Sequence, residues 1–209
     1  SEIISVEGRA GSFKVKIYQR PRYVSDECTR CGDCVPACPV ILKNEFDVGM
    51  GARKAIYLPF DQAEPGVYVI DIENCLNKPP NFLPCNRCVE ACGPKCIDFN
   101  MKPAIHEVEV GSIIVAAGAE IFDAWKVTEY AYGRHPDILT SMELERLLQS
   151  SGPTRGEVIK PSDRKHPEKV AFILCVGSRD RRFYGYCSRV CCMYSIKQAL
   201  QLVDHGVKD

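Results

Sequence analysis

No stretch of this 209-residue chain is apolar for long enough to cross a bilayer as a helix, so no membrane-spanning helix is expected. The first ten residues, SEIISVEGRA, have neither the basic start nor the apolar centre of a secretory signal, which argues against export and the disulfides that accompany it. Charge of one sign is not in excess: 27 Lys and Arg face 27 Asp and Glu, and a neutral chain leaves no nucleic-acid footprint. Low-complexity tracts are missing. So is any G-x-G-x-x-G loop of the kind that cradles a dinucleotide pyrophosphate. What the chain has in quantity is cysteine, thirteen in all. An odd number of this size is not the mark of a disulfide scaffold.

Most of these cysteines fall into two runs. The first reads Cys28-x2-Cys31-x2-Cys34-x3-Cys38-Pro39, the bacterial spacing for a 4Fe–4S cluster, in which the fourth cysteine serves the other cluster of a pair. The second, Cys75-x9-Cys85-x2-Cys88-x3-Cys92, repeats that logic with a longer first arm. Two-residue gaps let one tight loop wrap the edge of a cube. The remaining corner faces away and is filled from a distance. Cys28, Cys31, Cys34 and Cys92 are therefore expected on one cluster, and Cys38, Cys75, Cys85 and Cys88 on the other. Pro39 should end a short helix carrying Cys38, while the second run has its proline one residue later, at Pro94. Cys96 is left over and is expected to be a small buried hydrophobe. Zinc fits poorly, because four cysteines within eleven residues overfill a tetrahedral site.

The runs sit inside a different pattern. Strict alternation over 13–18, preceded by an apolar 3–6 and a turn bounded by Gly8 and Gly11, predicts a hairpin. A lone hairpin is marginal and needs a third strand, and the next strand signals, 106–110 and 112–117, come only after the cysteines. This predicts residues 1–20 as a hairpin of the main body, 21–103 as an inserted two-cluster domain, and 104–209 as a partial α/β domain. Within the insert, 55–60 and 67–71 read as a further hairpin. After it, 112–118 and 170–174 read as buried strands. Thr140-x2-Glu143 is a capping box opening a helix with Leu144, Leu147 and Leu148 on one face. A last helix is expected from about 188 to 203, with Val190, Met193, Leu200 and Val203 buried and Gly206 as its stop.

Cys175 closes the second of those strands, and Cys187, Cys191 and Cys192 gather around the start of the last helix. Spacing alone leaves them either as core thiols, which are commonly buried, or as ligands near a helix N-terminus that favours thiolates. Arg179, Arg181, Arg182 and Arg189 add positive charge in the same stretch.

The order of hairpin, double cysteine run, GSIIVAAG, capped helix, CVGSRD and CSRVCCMYSIKQAL resembles the A-type iron–sulfur flavoprotein of heterodisulfide reductase over essentially the whole chain. The resemblance implies a ferredoxin-like domain inserted into part of a thioredoxin-reductase-like, two-dinucleotide-binding flavoprotein fold, α+β and α/β in class. It implies a third 4Fe–4S cluster on Cys175, Cys187, Cys191 and Cys192, and FAD in the complete polypeptide, lying against Val115, Ala116, Ala117 and Gly118. It also implies a cytoplasmic, anaerobic electron-transfer component of the kind used in methanogenesis. Its partners would be the other subunits of a heterodisulfide-reductase-like complex, a hydrogenase- or formate-dehydrogenase-type donor, and ferredoxin, with electron bifurcation at the flavin as a property of the family. A relay component of another anaerobic complex, ring-reducing or sulfur-metabolising, is the alternative. Cys175 stands where a nicotinamide-binding loop would begin with glycine, which argues against NAD(P) there. The missing pyrophosphate loop and initiator Met lead us to expect a piece of a longer polypeptide.

Overall fold

A computed structural model describes residues 1–78 and 84–208. In chain order the elements are β1 (Glu2–Arg9), β2 (Ser12–Gln19), α1 (Cys34–Ala37), β3 (Leu42–Asn44), β4 (Gly51–Arg53), β5 (Ile56–Tyr57), β6 (Val69–Ile70), α2 (Arg87–Ala91), β7 (Ala104–Val110), α3 (Ser141–Leu148) and α4 (Cys191–Asp204). The architecture is mixed α/β with small sheets. The chain divides into two compact units, Ser1–Leu42 with Arg53–Gly118, and Lys43–Ala52 with Ala119–Asp209.

In the first unit, β1 and β2 form the expected hairpin, and β7 supplies the third strand by pairing antiparallel with β2. Two neighbouring strands are thus separated in sequence by the whole cysteine-rich stretch. Gly8 makes the turn possible: its φ is +104°, and a Cβ there would lie 2.2 Å from the Ser12 carbonyl oxygen. Lys16 and Glu107 sit directly opposite across β2 and β7 and pair at 3.0 Å. In water such an exposed pair adds little to stability.

Between β2 and β7 the chain makes two short helices of similar build. α1 ends at Cys38 and α2 at Cys92, each an extended C-cap whose N–H reaches back to a valine carbonyl, Val35 or Val89. Pro39 follows the first cap, as expected of a residue that cannot continue a helix. Val24 and Ile97 bridge antiparallel beside them. β5 and β6 form the small hairpin read from sequence. Val24, Ala55, Ile56, Ile70 and Ile97 build one core with Cys34, Cys38, Cys88, Cys92 and Cys96. Of the 76–84 arm of the second run, residues 79–83 lie outside the described residues.

The second unit is built on α3 and α4. The capping box forms: Thr140 accepts from the Glu143 N–H, and the Glu143 carboxylate accepts from the Thr140 N–H at 2.6 Å. Leu147 and Leu148 are buried, as their face required. Leu148, Val158, Leu202 and Val207 form its core, with Leu144, Val170 and Phe172 against them. The Lys43–Ala52 segment belongs to this unit through Asp47, whose Oδ1 accepts from Arg146 Nε at 3.0 Å; both side chains are buried. Phe46 lies under the same guanidinium.

Three expectations need correction. Residues 112–118 are not a strand: Ile114 and Val115 are 89% and 86% exposed. Residues 170–174 are not a strand either, although Val170 and Phe172 pack on the core while Ile173 and Leu174 face water. A strand exists only with a neighbour to bond to, and among the described residues neither segment has one. The last helix begins at Cys191, and its buried side chains are Cys191, Ser195, Gln198 and Leu202. Met193, Leu200 and Val203 are exposed on the opposite side and Val190 is exposed before the helix. Gln198 wins its buried place because its amide donates to the Ser141 carbonyl at 2.8 Å and to Glu145 at 3.1 Å. The stop is as expected. Gly206, at φ +88°, donates to Val203, and Val207 reaches back to Leu202 at 3.0 Å, a Schellman closure.

Candidate functional site

The first unit holds two small cavities, and the cysteines divide between them across the two runs. One is lined by Cys38, Cys75, Cys85 and Cys88, together with Ala55, Ile56 and Ile70. The other is lined by Cys28, Cys31, Cys34 and Cys92, joined by Cys96, with Ile56, Tyr68 and Ile97. Each cavity thus takes three cysteines from one run and its last from the other. The cause is local. Each short helix carries its terminal cysteine away from the loop that precedes it, and α1 packs against α2, so the two terminal cysteines exchange sides. Ile56 lines both cavities and is 1% exposed, a shared wall that no cysteine spacing could have announced.

Electrostatics shows what such cavities require. Burial pushes the Cys34 thiol up to about 12 and the Cys88 thiol up to about 11, and raises Cys75 as well. A thiolate here is an uncompensated anion in an apolar core, so these groups become ligands only if a cationic centre enters with them. Among the described residues, no three His, Cys, Asp or Glu side chains converge on a point suited to a single ion. A structural zinc would draw four sulfurs to about 2.3 Å of one centre. Sulfurs spread around a cavity suit the separated corners of an iron–sulfur cube, and the residues present fit that group.

Beside the cavity of Cys38, Cys75, Cys85 and Cys88, Asp71 accepts from Arg53 at 2.9 Å and from the Asn74 side chain at 3.0 Å. Burial alone would raise its carboxyl, but these bonds outweigh burial and hold it below the ordinary carboxylate range.

In the second unit Cys175, Cys187, Cys191 and Cys192 do not form a helical fan. Cys187 and the N-cap Val190 precede α4, so only Cys191 and Cys192 stand on its first turn. Cys191 is buried, Cys175 half-buried, and Cys187 and Cys192 exposed. The Arg189 N–H donates to Cys187 Sγ at 3.3 Å. Cys191 is held below the usual thiol range, first by the Ser188 side chain and then, against burial, by the Cys175 backbone and Cys192. Cys192 is raised, chiefly by the negative charge of Cys191 and further by Cys175 and Cys187. Of the arginines read as a positive surround, Arg182 is already paired, with Asp180 and Glu129 both at 2.7 Å. Phe122, Phe183, Tyr184 and Tyr186 form an aromatic cluster in the same region. Val115, Ala116, Ala117 and Gly118 are exposed and line neither cavity described above.

Among the described residues no helix is long and apolar enough to cross a membrane. No protein-family model matches the chain. It is 47% identical, over 98% of its length, to the iron-sulfur A-subunit of the CoB–CoM heterodisulfide reductase of Methanocaldococcus jannaschii, covering 30% of that protein. With the A-subunit of the H(2):CoB-CoM heterodisulfide,ferredoxin reductase of Methanothermobacter marburgensis the identity is 47% over 100% of this chain and 31% of that one. With the A-subunit of the ferredoxin/F(420)H(2)-dependent CoB-CoM heterodisulfide reductase of Methanosarcina acetivorans it is 43%, over 100% and 26%. The chain thus spans about a third or less of the curated relatives it matches.

Proposed function

From the premise that this chain belongs, along its whole length, to the family of heterodisulfide reductase A-subunits, we propose that it is the electron-relay segment of such a protein. The observation that carries this reading is the crossed division of eight cysteines between two cavities. Cys28, Cys31, Cys34 and Cys92 hold one 4Fe–4S cluster; Cys38, Cys75, Cys85 and Cys88 hold the second. Cys175, Cys187, Cys191 and Cys192 hold a third, supported by the place of Cys191 and Cys192 on the first turn of α4 and of Cys187 just before it. A bound cluster supplies one-electron chemistry at a potential set by its surroundings. The protein's part is to present thiolates, keep apolar side chains such as Ile56 and Ile97 around them, and hold neighbouring centres in one core.

The remaining parts of the reading belong to a longer polypeptide. The two-cluster region is then a ferredoxin-like insert, and the rest a portion of a flavoprotein body. The exposed stripe of Met193, Ile196, Leu200 and Val203 supports that view, because apolar surface of this extent usually meets a partner surface. Val115, Ala116, Ala117 and Gly118 would face FAD only in that longer chain; alone, these residues build no flavin cradle. The partner subunits, a hydrogenase- or formate-linked donor, ferredoxin, bifurcation at the flavin and a cytoplasmic location are proposals of the same kind.

The test is analysis of anaerobically prepared protein. About twelve irons and about twelve sulfides per chain are expected, falling by about four of each in Cys191→Ser and by about four in Cys92→Ser. Wild-type protein with about eight irons, unchanged in Cys191→Ser, removes the third site. Zinc in place of iron overturns the scheme.

A further inference from the structure

The two cavities of the first unit differ by one cysteine. Cys96 lines the cavity of Cys28, Cys31, Cys34 and Cys92, and is 5% exposed. Its Sγ lies 3.4 Å from Cys92 Sγ, too far for a disulfide and within reach of an S–H···S hydrogen bond. The thiol is held there by backbone: the Cys96 carbonyl accepts from the Ser25 N–H at 2.8 Å, and the Lys95 N–H donates to the Cys92 carbonyl at 3.2 Å, with Lys95 at φ +56°. No described residue plays this part in the other cavity. Apart from its four cysteines, the only polar side chain lining it among the described residues is Arg87, which is exposed and screened by water.

We infer that Cys96 binds no iron and donates its Sγ–H to Cys92 Sγ, raising the potential of the cluster held by Cys28, Cys31, Cys34 and Cys92 above that of its neighbour. A hydrogen bond to a ligand sulfur withdraws electron density, so it stabilises the more negative, reduced cluster more than the oxidised one. Of two clusters in one core, the first therefore retains the electron. The inference rests on the cluster assignment proposed above. Cys96 acts as a positioning and tuning residue, one contact removed from the metal.

The experiment uses anaerobically prepared wild-type chain, Cys96→Ala and Cys96→Ser, with iron analysis, an EPR-monitored redox titration, and resonance Raman spectra in H2O and D2O. Iron should be equal in all three. In Cys96→Ala the higher of the two midpoint potentials should fall, shifting electron partition between the clusters about fivefold, the equivalent of about 1 kcal/mol and about 40 mV at about 59 mV per decade. Cys96→Ser, which restores an O–H donor, should recover most of it. The D2O shift of the Fe–S(Cys) stretches should be present in wild type and absent in Cys96→Ala. Loss of about four irons in Cys96→Ala overturns the inference by making Cys96 a ligand, while equal iron with unchanged potentials overturns it by making Cys96 inert. Failure of the wild type to hold these clusters would instead refute the assignment beneath it.

Discussion

Cys34, Cys38, Cys88 and Cys92 are buried among isoleucines and valines, whereas of the four cysteines near α4 only Cys191 is buried. The apolar residues divide the same way. In the first unit Val24, Ala55 and Ile56 are each 1% exposed; in the second, Ile173, Leu174, Met193, Ile196, Leu200 and Val203 face water. The first region closes its core over its own thiols, because two short helices and a hairpin bring apolar side chains to the cavities from several directions. The second closes over one face of each helix only. A cysteine motif is thus no guide to how finished its surroundings are. Wrapping a cube needs a loop, while enclosing it needs elements from elsewhere.

The largest expected effect tests how the less closed region holds together. Arg146→Ala leaves the Asp47 carboxylate buried without its partner, and should cost about 3–5 kcal/mol of that unit's stability. Chemical denaturation with a probe in 119–208 measures it. A loss under about 1 kcal/mol would mean that the Lys43–Ala52 segment contributes little there.

Next, Leu202→Ala and Ile56→Ala remove equally buried side chains from the two regions, and each should cost about 2–5 kcal/mol. They should differ in reach. Ile56→Ala should alter the spectra of both first-unit clusters, since it lines both cavities, while Leu202→Ala should leave them unchanged. Leu200→Ala, on the exposed face, should stay within about 0.5 kcal/mol. If Leu200→Ala costs as much as Leu202→Ala, the stripe read from the sequence is buried after all and the comparison fails.

The smallest effect is a pH dependence in the second unit. Burial would raise Glu145, but hydrogen bonds from Lys197 and Gln198 outweigh it and hold the carboxyl below its usual 4.5. A depressed carboxylate contributes stability above its unfolded value, and that contribution is lost as pH falls through the folded one. The contact between α3 and α4 should therefore be constant near neutrality and weaken below about pH 4.5. Hydrogen exchange along α4 at falling pH follows it, and Glu145→Gln should flatten the dependence.

Much of the first region was legible in advance. The cysteine spacing grouped the four cysteines of each set that line one cavity, without placing Cys96 beside either; Pro39 marked the end of α1, and alternation over 13–18 gave the hairpin and its need for a third strand. Each of these signals acts over a few residues, where backbone geometry alone limits the outcome. The capping box at Thr140 and Glu143 and the stop at Gly206 were readable for the same reason. Cys96 was readable as buried, but not as a thiol 3.4 Å from Cys92, because that distance depends on Ser25 holding its carbonyl. Ile56 as a shared wall depends on a hairpin with no cysteine in it.

The sequence by itself determined which thiols share a local loop or turn, since x2 and x3 gaps constrain both whatever surrounds them, while the exchange of Cys38 and Cys92 between the cavities needs α1 packed against α2. Tertiary structure decided which apolar surfaces are covered. The apolar run 112–118 reads as a buried strand until one asks what it pairs with, and the stripe of Met193, Leu200 and Val203 reads as a core face until Gln198 finds its partners on Ser141 and Glu145. Periodicity says that a face is apolar. Whether that face is buried depends on atoms distant along the chain, because a strand needs another edge and a hydrophobic side chain needs a surface to displace its water.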